Sequence, residues 1–93
     1  MEDLIGRGCK AKAGHDKDEY FIIVSFEENF VYLSDGKSRS LENPKKKKIK
    51  HVELLDFKSE DVKSKLINSE KITNSDIREV IEELKEKINA KGD

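Results

Sequence analysis

A single cysteine, a single proline and no apolar run of bilayer length leave several classes of protein without the residues they need. Cys9 has no second cysteine to pair with, so no internal disulfide forms, and a lone thiol suits a reducing compartment. A membrane-spanning helix needs about 20 mostly apolar residues, and none occurs here. Met1-Glu2-Asp3 is acidic and lacks the basic and apolar segments of a secretory leader. The expected location is therefore the cytoplasm, with no membrane partner. The five glycines do not gather into a phosphate-binding loop. His15, His51, Cys9 and Asp16 match no zinc spacing, and structural zinc takes four well-placed ligands, so neither metal nor cofactor is expected. The carboxylates stand in mixed-charge surroundings rather than as an isolated pair in an apolar setting. No catalytic residue can be assigned, and an enzyme is not expected.

Only 34% of the chain is hydrophobic, whereas 42% is charged. A domain of this size has material for one small core and little to spare for a deep cleft; a surface that binds is the more natural product. The formal net charge is −1, but it is unevenly spread. Residues 36–51 carry a local balance of +6, from Lys37, Arg39, Lys45, Lys46, Lys47, Lys48 and Lys50 against Glu42, while residues 58–93 carry −1. That distribution predicts a positive patch on a nearly neutral protein.

Periodicity divides the chain in two. From Gly8 to Ala13 small residues (Cys9, Ala11, Ala13) alternate with Lys10 and Lys12, a strand with a small-residue inner face. Tyr20 to Phe26 is β-branched or aromatic at nearly every position, as in a strand covered on both faces. Glu28-Asn29 reads as a turn, Phe30 to Leu33 as a strand, and Asp35-Gly36 as a hairpin turn leading into a strand over Lys37–Leu41. Asn43-Pro44 interrupts, and a last strand is expected from about Lys47 to Leu54. Within it Ile49 and Val52 have opposite parity, which one regular strand cannot place on one face. Five short strands predict a small barrel or sandwich. After Phe57 the period becomes helical. Ser59 can cap a short helix over about 59–67. Thr73 with Asp76 forms a capping-box pattern ahead of an amphipathic helix over about 74–90, whose apolar stripe is Ile77, Val80, Ile81, Leu84 and Ile88.

Two segments resemble the KOW family of small SH3-like barrels found in ribosomal and transcription-elongation proteins, most nearly the large-subunit ribosomal protein fourteen-e type. Gly6-Arg7-Gly8-Cys9-Lys10-Ala11-Lys12-Ala13-Gly14-His15-Asp16 is similar to the family's first strand and charged loop. Lys46-Lys47-Lys48-Ile49-Lys50-His51-Val52-Glu53 is similar to its basic triplet, β-branched residue and downstream histidine. The likeness spans about half the chain. Asp18 and Glu19 stand where the family's loop usually has a second glycine. The resemblance implies a five-stranded SH3-like β-barrel of KOW type at residues 1–57; with the helical extension that periodicity predicts at 58–93, which lies outside the likeness, the chain is expected to be α+β. It also implies RNA, in particular ribosomal RNA, as the partner, with ribosomal proteins as neighbours.

Lys45, Lys46, Lys47, Lys48 and Lys50 are the densest candidate contact. Packed like charges repel, and a polyphosphate relieves that repulsion while releasing its own counterions; a solvated sheet edge is the plainer explanation of the same run. Four lysines on single-stranded RNA predict a slope of log K against log salt near −3, at about −0.7 per contact. Arg7, Lys10, Lys12, Lys37 and Arg39 extend the patch if the strands curl. Tyr20 and Tyr32 are candidates for base stacking, Tyr20 foremost because it adjoins the charged loop; Phe21, Phe26 and Phe30 are assigned to the core. The alternative function is a protein–protein adaptor that seats the amphipathic helix in a partner's groove. A monomer is expected rather than a dimer.

Overall fold

The apolar residues are concentrated in the segment Phe21-Ile22-Ile23-Val24, and the fold buries both sides of it. The structure, a computed structural model, describes residues 2–91; Met1, Gly92 and Asp93 lie outside the described residues. The segment lies in strand β2 (Tyr20–Glu27), flanked by β1 (Arg7–Ala11) and β3 (Phe30–Ser34). Strands β4 (Lys45–Lys48) and β5 (Val52–Lys58) complete an antiparallel sheet of order β4-β3-β2-β1-β5. Two helices follow, α1 (Glu60–Ile67) and α2 (Asn74–Lys91), so the chain is a small α+β domain.

Side chains of a strand alternate between faces, and β2 supplies a core to each. Phe21 and Ile23 join Cys9 and Ala11 of β1, Val31 and Leu33 of β3, and Val52 of β5 on one side; Leu4, Phe26 and Ile49 pack at its margin. Among the described residues neither α1 nor α2 contributes to this cluster, which is lined by side chains of the strands themselves. On the other side Ile22 and Val24 meet Val62 of α1 and Ile77, Val80, Ile81 and Leu84 of α2. The helix's apolar stripe thus packs on the sheet within the domain. Gly8 permits the approach: a Cβ there would lie 3.0 Å from Leu84 Cδ1 and 3.1 Å from Phe57 Cδ2. The second face of β1 is thus covered at Gly8; the strand ends at Ala11, leaving Ala13 exposed instead of inward.

Both helix starts form as the sequence predicts. The Ser59 hydroxyl accepts from the Val62 amide at 3.2 Å. The Thr73 amide donates to Asp76 Oδ2 at 2.9 Å, and the Asp76 amide donates to Thr73 Oγ1 at 3.1 Å, a reciprocal capping box. The Glu28-Asn29 turn also forms, with Glu28 at φ +49 between paired Glu27 and Phe30.

Two expectations are corrected. No strand forms over Lys37–Leu41, and Asp35-Gly36 is not a tight hairpin turn. The Asp35 carboxylate accepts from the amides of Lys37 (2.8 Å) and Arg39 (3.0 Å), while the Ser34 hydroxyl donates to the Arg39 carbonyl (2.7 Å). Side-chain oxygens thereby satisfy amides that a ladder would otherwise use. The resulting loop is fixed to α2: Arg78 Nη1 donates to the Gly36 carbonyl at 2.8 Å, and the Leu41 amide donates to Asn74 Oδ1 at 2.8 Å. Secondly, the expected strand over Lys47–Leu54 is two strands separated by a 3-10 turn at Ile49–His51. That turn resolves the parity conflict, because Ile49 and Val52 reach the same core from either side of it. The Ile49 amide donating to Asn29 (2.8 Å) and the Lys12 amide donating to His51 (2.9 Å) hold it in place.

Gly36 has φ +75, and a Cβ there would lie 2.4 Å from the Asn74 carbonyl oxygen. Gly36→Ala should lower the urea midpoint by the equivalent of about 2 kcal/mol, from left-handed strain plus the clash. The capping box predicts a pH dependence. The hydrogen bond from the Thr73 amide holds the Asp76 carboxyl below its ordinary value of 3.8. A depressed carboxyl stabilises the fold above its unfolded pKa and ceases to do so as pH falls through the folded one. Asp76→Asn should therefore be less stable than wild type at neutral pH, and the gap should close as the pH of a urea-melt series drops below 3.8.

Candidate nucleic-acid interface

Strand β4 consists of four lysines and lies at an edge of the sheet, paired with β3 alone. Four ammonium groups in succession cannot occupy a central strand, because half would point into each core. At the edge they can reach water and discourage further strand pairing. Alternation then divides the run. Lys45 and Lys47 lie opposite Leu33 and Val31, on the side of the cluster that the strands line; Lys46 and Lys48 lie opposite Tyr32 and Phe30, on the other, outer side. The first pair is half-buried and the second exposed. Lys47 extends towards the loop after β1, its Nζ 3.2 Å from where a Cβ of Gly14 would stand.

The outer side has aromatic rings beneath its cations. Lys46 Nζ is 4.5 Å from the centroid of Phe30 and 5.9 Å from that of Tyr32. Glu27 anchors this group, accepting from the Tyr32 hydroxyl at 2.8 Å and lying 3.8 Å from Lys46. Beside it is an open hollow of 460 Å³, formed by Phe30 and Ile49 with Asn29, Lys48 and Lys50 around them. Among the described residues Lys46 alone of the five lysines at 45–50 has a carboxylate within ion-pair distance. The positive charge of this surface is therefore largely uncompensated.

The other candidates are dispersed. Arg7 donates through Nε to the Leu55 carbonyl, filling the irregularity where β1 and β5 shift register between Arg7 and Cys9. Arg39 Nη2 pairs with Asp16 Oδ2 at 2.9 Å, tying the loop before β4 to the loop after β1. Lys10 lies 5.9 Å from the ring of Tyr20, and both border a hollow with Ile88 near the end of α2; Tyr20 is two strands and Lys10 three strands away from β4. Lys37 is exposed at a groove of 580 Å³, where Asp18, Glu19, Asp35 and Glu82 offset Lys37, Arg78 and Lys85. Lys12 is exposed beyond β1, its amide bonded to the 3-10 turn. The cations brought together on the outer side are thus Lys46, Lys48 and Lys50.

Phe30 and Asn29 belong to this surface, although sequence reasoning placed Phe30 in the core and did not select Asn29. The signal was parity. Phe30 shares its strand face with Tyr32, opposite to Val31 and Leu33, and is half-buried. Cys9 offers no reactive alternative, since burial pushes its thiol up to about 12 and keeps it neutral. Among the described residues no group of three or more His, Cys, Asp or Glu could hold a metal ion, and no helix is long and apolar enough to cross a membrane.

The Arg39–Asp16 pair should be structural. Arg39 Nε is buried without a hydrogen-bond partner, so the guanidinium depends on Asp16 for compensation. Asp16→Asn should cost about 1–2 kcal/mol in urea melts, less than a fully buried pair because Arg39 is partly exposed; Arg39→Lys should cost a similar amount, having no planar fork to span the loops.

Neither comparison with known proteins supplies a relative: no family model matches the chain, and no curated protein matches it.

Proposed function

We propose that this chain is a non-enzymatic RNA-binding module that grips the RNA backbone with the outer row Lys46, Lys48 and Lys50, and that its partner is ribosomal RNA. The observation that carries the reading is the all-lysine edge strand, whose outer cations are exposed and nearly free of internal counter-charge. Protection of an edge accounts for charge on the strand. It does not account for Lys50, which lies outside the strand in the 3-10 turn and borders the same hollow as Lys48. A phosphate backbone meets all three at once and releases counterions on doing so. Lysines act as point charges and carry little base information, so this contact sets affinity and position more than sequence preference.

The KOW reading of the sheet belongs to the same proposal. Four strands follow one another as a meander, and β5 returns beside β1 after one 3-10 turn. A five-stranded SH3-like barrel needs that order and a core lined by its own strands, and the cluster of strand side chains on one face supports it. The basic triplet of the resemblance then falls on β4, at the edge.

The division of the lysines makes the proposal specific. With three contacts in place of four, the slope of log K against log salt on single-stranded RNA should be about −2. Replacing Lys46, Lys48 and Lys50 together by Gln should abolish binding to purified ribosomal RNA at moderate salt, whereas Lys45→Gln with Lys47→Gln should change it little. Equal losses from the two variants would show that the faces do not matter, and undiminished binding by the triple variant at low salt would sink the proposal.

A further inference from the structure

The outer row of lysines surrounds something other than more charge. The hollow of 460 Å³ beside Lys48 and Lys50 has Phe30 and Ile49 as its apolar members and the exposed turn residue Asn29 at its border. Its volume falls within the range of small-molecule sites. No side-chain hydrogen bond is formed by Asn29 among the described residues, while its carbonyl is already used by the Ile49 amide at 2.8 Å. The amide side chain of Asn29 therefore has both a donor and an acceptor to offer at the border.

We infer that this hollow receives one unpaired nucleobase of the RNA, stacked on Phe30, with its flanking phosphates on Lys48 and Lys50. The inference rests on the RNA-binding reading and specifies which RNA that surface takes: a strand with an unstacked nucleotide, such as a bulge or loop, in preference to a continuous duplex. The chemistry of the hollow matches that of a nucleotide part by part. The ring of Phe30 suits the π-face of a base, the Asn29 amide suits its hydrogen-bonding edge, and the two lysines suit the phosphates on either side. A base inside a regular duplex cannot offer these together, because its faces are stacked on its neighbours.

Lys46 stands over the ring in the free protein, 4.5 Å from its centroid. An exposed cation–π contact is weaker than a base–aromatic stack. Lys46 gives up the ring when the base arrives and turns to the backbone or to Glu27, which is 3.8 Å away.

The test uses the full chain and three RNA hairpins of equal length: fully paired, carrying one bulged nucleotide, and carrying an abasic residue at the same bulge. Affinities are measured by fluorescence anisotropy at one ionic strength. The bulged hairpin should bind at least about fivefold tighter than the paired one, the lower end expected for one base–aromatic stack, and the abasic bulge should lose that advantage. Phe30→Leu keeps apolar volume at the half-buried position; once urea melts verify its fold, it should bind all three hairpins alike and the paired one as wild type does. Asn29→Ala leaves the backbone bond to Ile49 intact and should weaken binding of the bulged hairpin alone. Equal binding of paired and bulged hairpins by wild type, or an abasic bulge as good as the intact one, would overturn the nucleobase site and leave the backbone contact standing. Failure of every hairpin to bind at low salt would remove the RNA reading, and this inference with it.

Discussion

Everything in this domain depends on burying β2 from both sides. With 34% hydrophobic residues, the chain cannot form two independent cores, and it avoids having to do so by threading one apolar strand between them. Phe21 and Ile23 serve the cluster lined by strand residues; Ile22 and Val24 serve the face covered by α1 and α2. Neither face can be opened without exposing half of the same strand. The helices are therefore part of the same hydrophobic economy as the sheet, and α2 in turn holds the loop before β4 through Asn74 and Arg78.

The placement of the lysines follows from that constraint. The strands next to β2 give it apolar side chains, Cys9 and Ala11 from β1 and Val31 and Leu33 from β3, and a run of lysines has none to give. It is displaced to the edge, one strand further out, where β3 supplies the apolar residues between. Once there, the two-residue period decides which cations face outward together. A charge count over residues 36–51 cannot see this, since it sums groups that lie on opposite sides of the sheet.

What could be read from the sequence was local or periodic. The capping box at Thr73 and Asp76, the cap at Ser59, the doubly covered β2 and the stripe of α2 each follow from residues within a few positions of one another. What could not be read depends on partners far along the chain. Arg39 is occupied by Asp16, 23 residues away, and Arg7 by a carbonyl 48 residues away. The strand expected over Lys37–Leu41 failed because Asp35 and Ser34 bonded the local backbone and α2 supplied the rest. The conflict between Ile49 and Val52 was visible as a conflict; its solution, a 3-10 turn held by Asn29 and Lys12, needs the neighbouring turns to be in place. Phe30 is the instructive case, because its parity with Tyr32 was legible and outweighed by the general preference of aromatic residues for cores.

Edge protection and ligand binding are often offered as rival explanations of such a strand, yet here they make different demands on different atoms. Blocking further strand addition requires charge along the free backbone edge, and Lys45 to Lys48 supply it whichever way their side chains point. Binding requires cations converging on one surface with room for a ligand between them. That demand is met on the outer side, where Lys46 lies over Phe30 and Lys48 and Lys50 border the hollow. Lys45 and Lys47 meet the first demand while contributing little to the second. On the proposed RNA-binding reading, the pairing of Phe30 with Lys48 across the ladder, and of Lys46 with the same ring through space, is what would separate a binding edge from a merely guarded one.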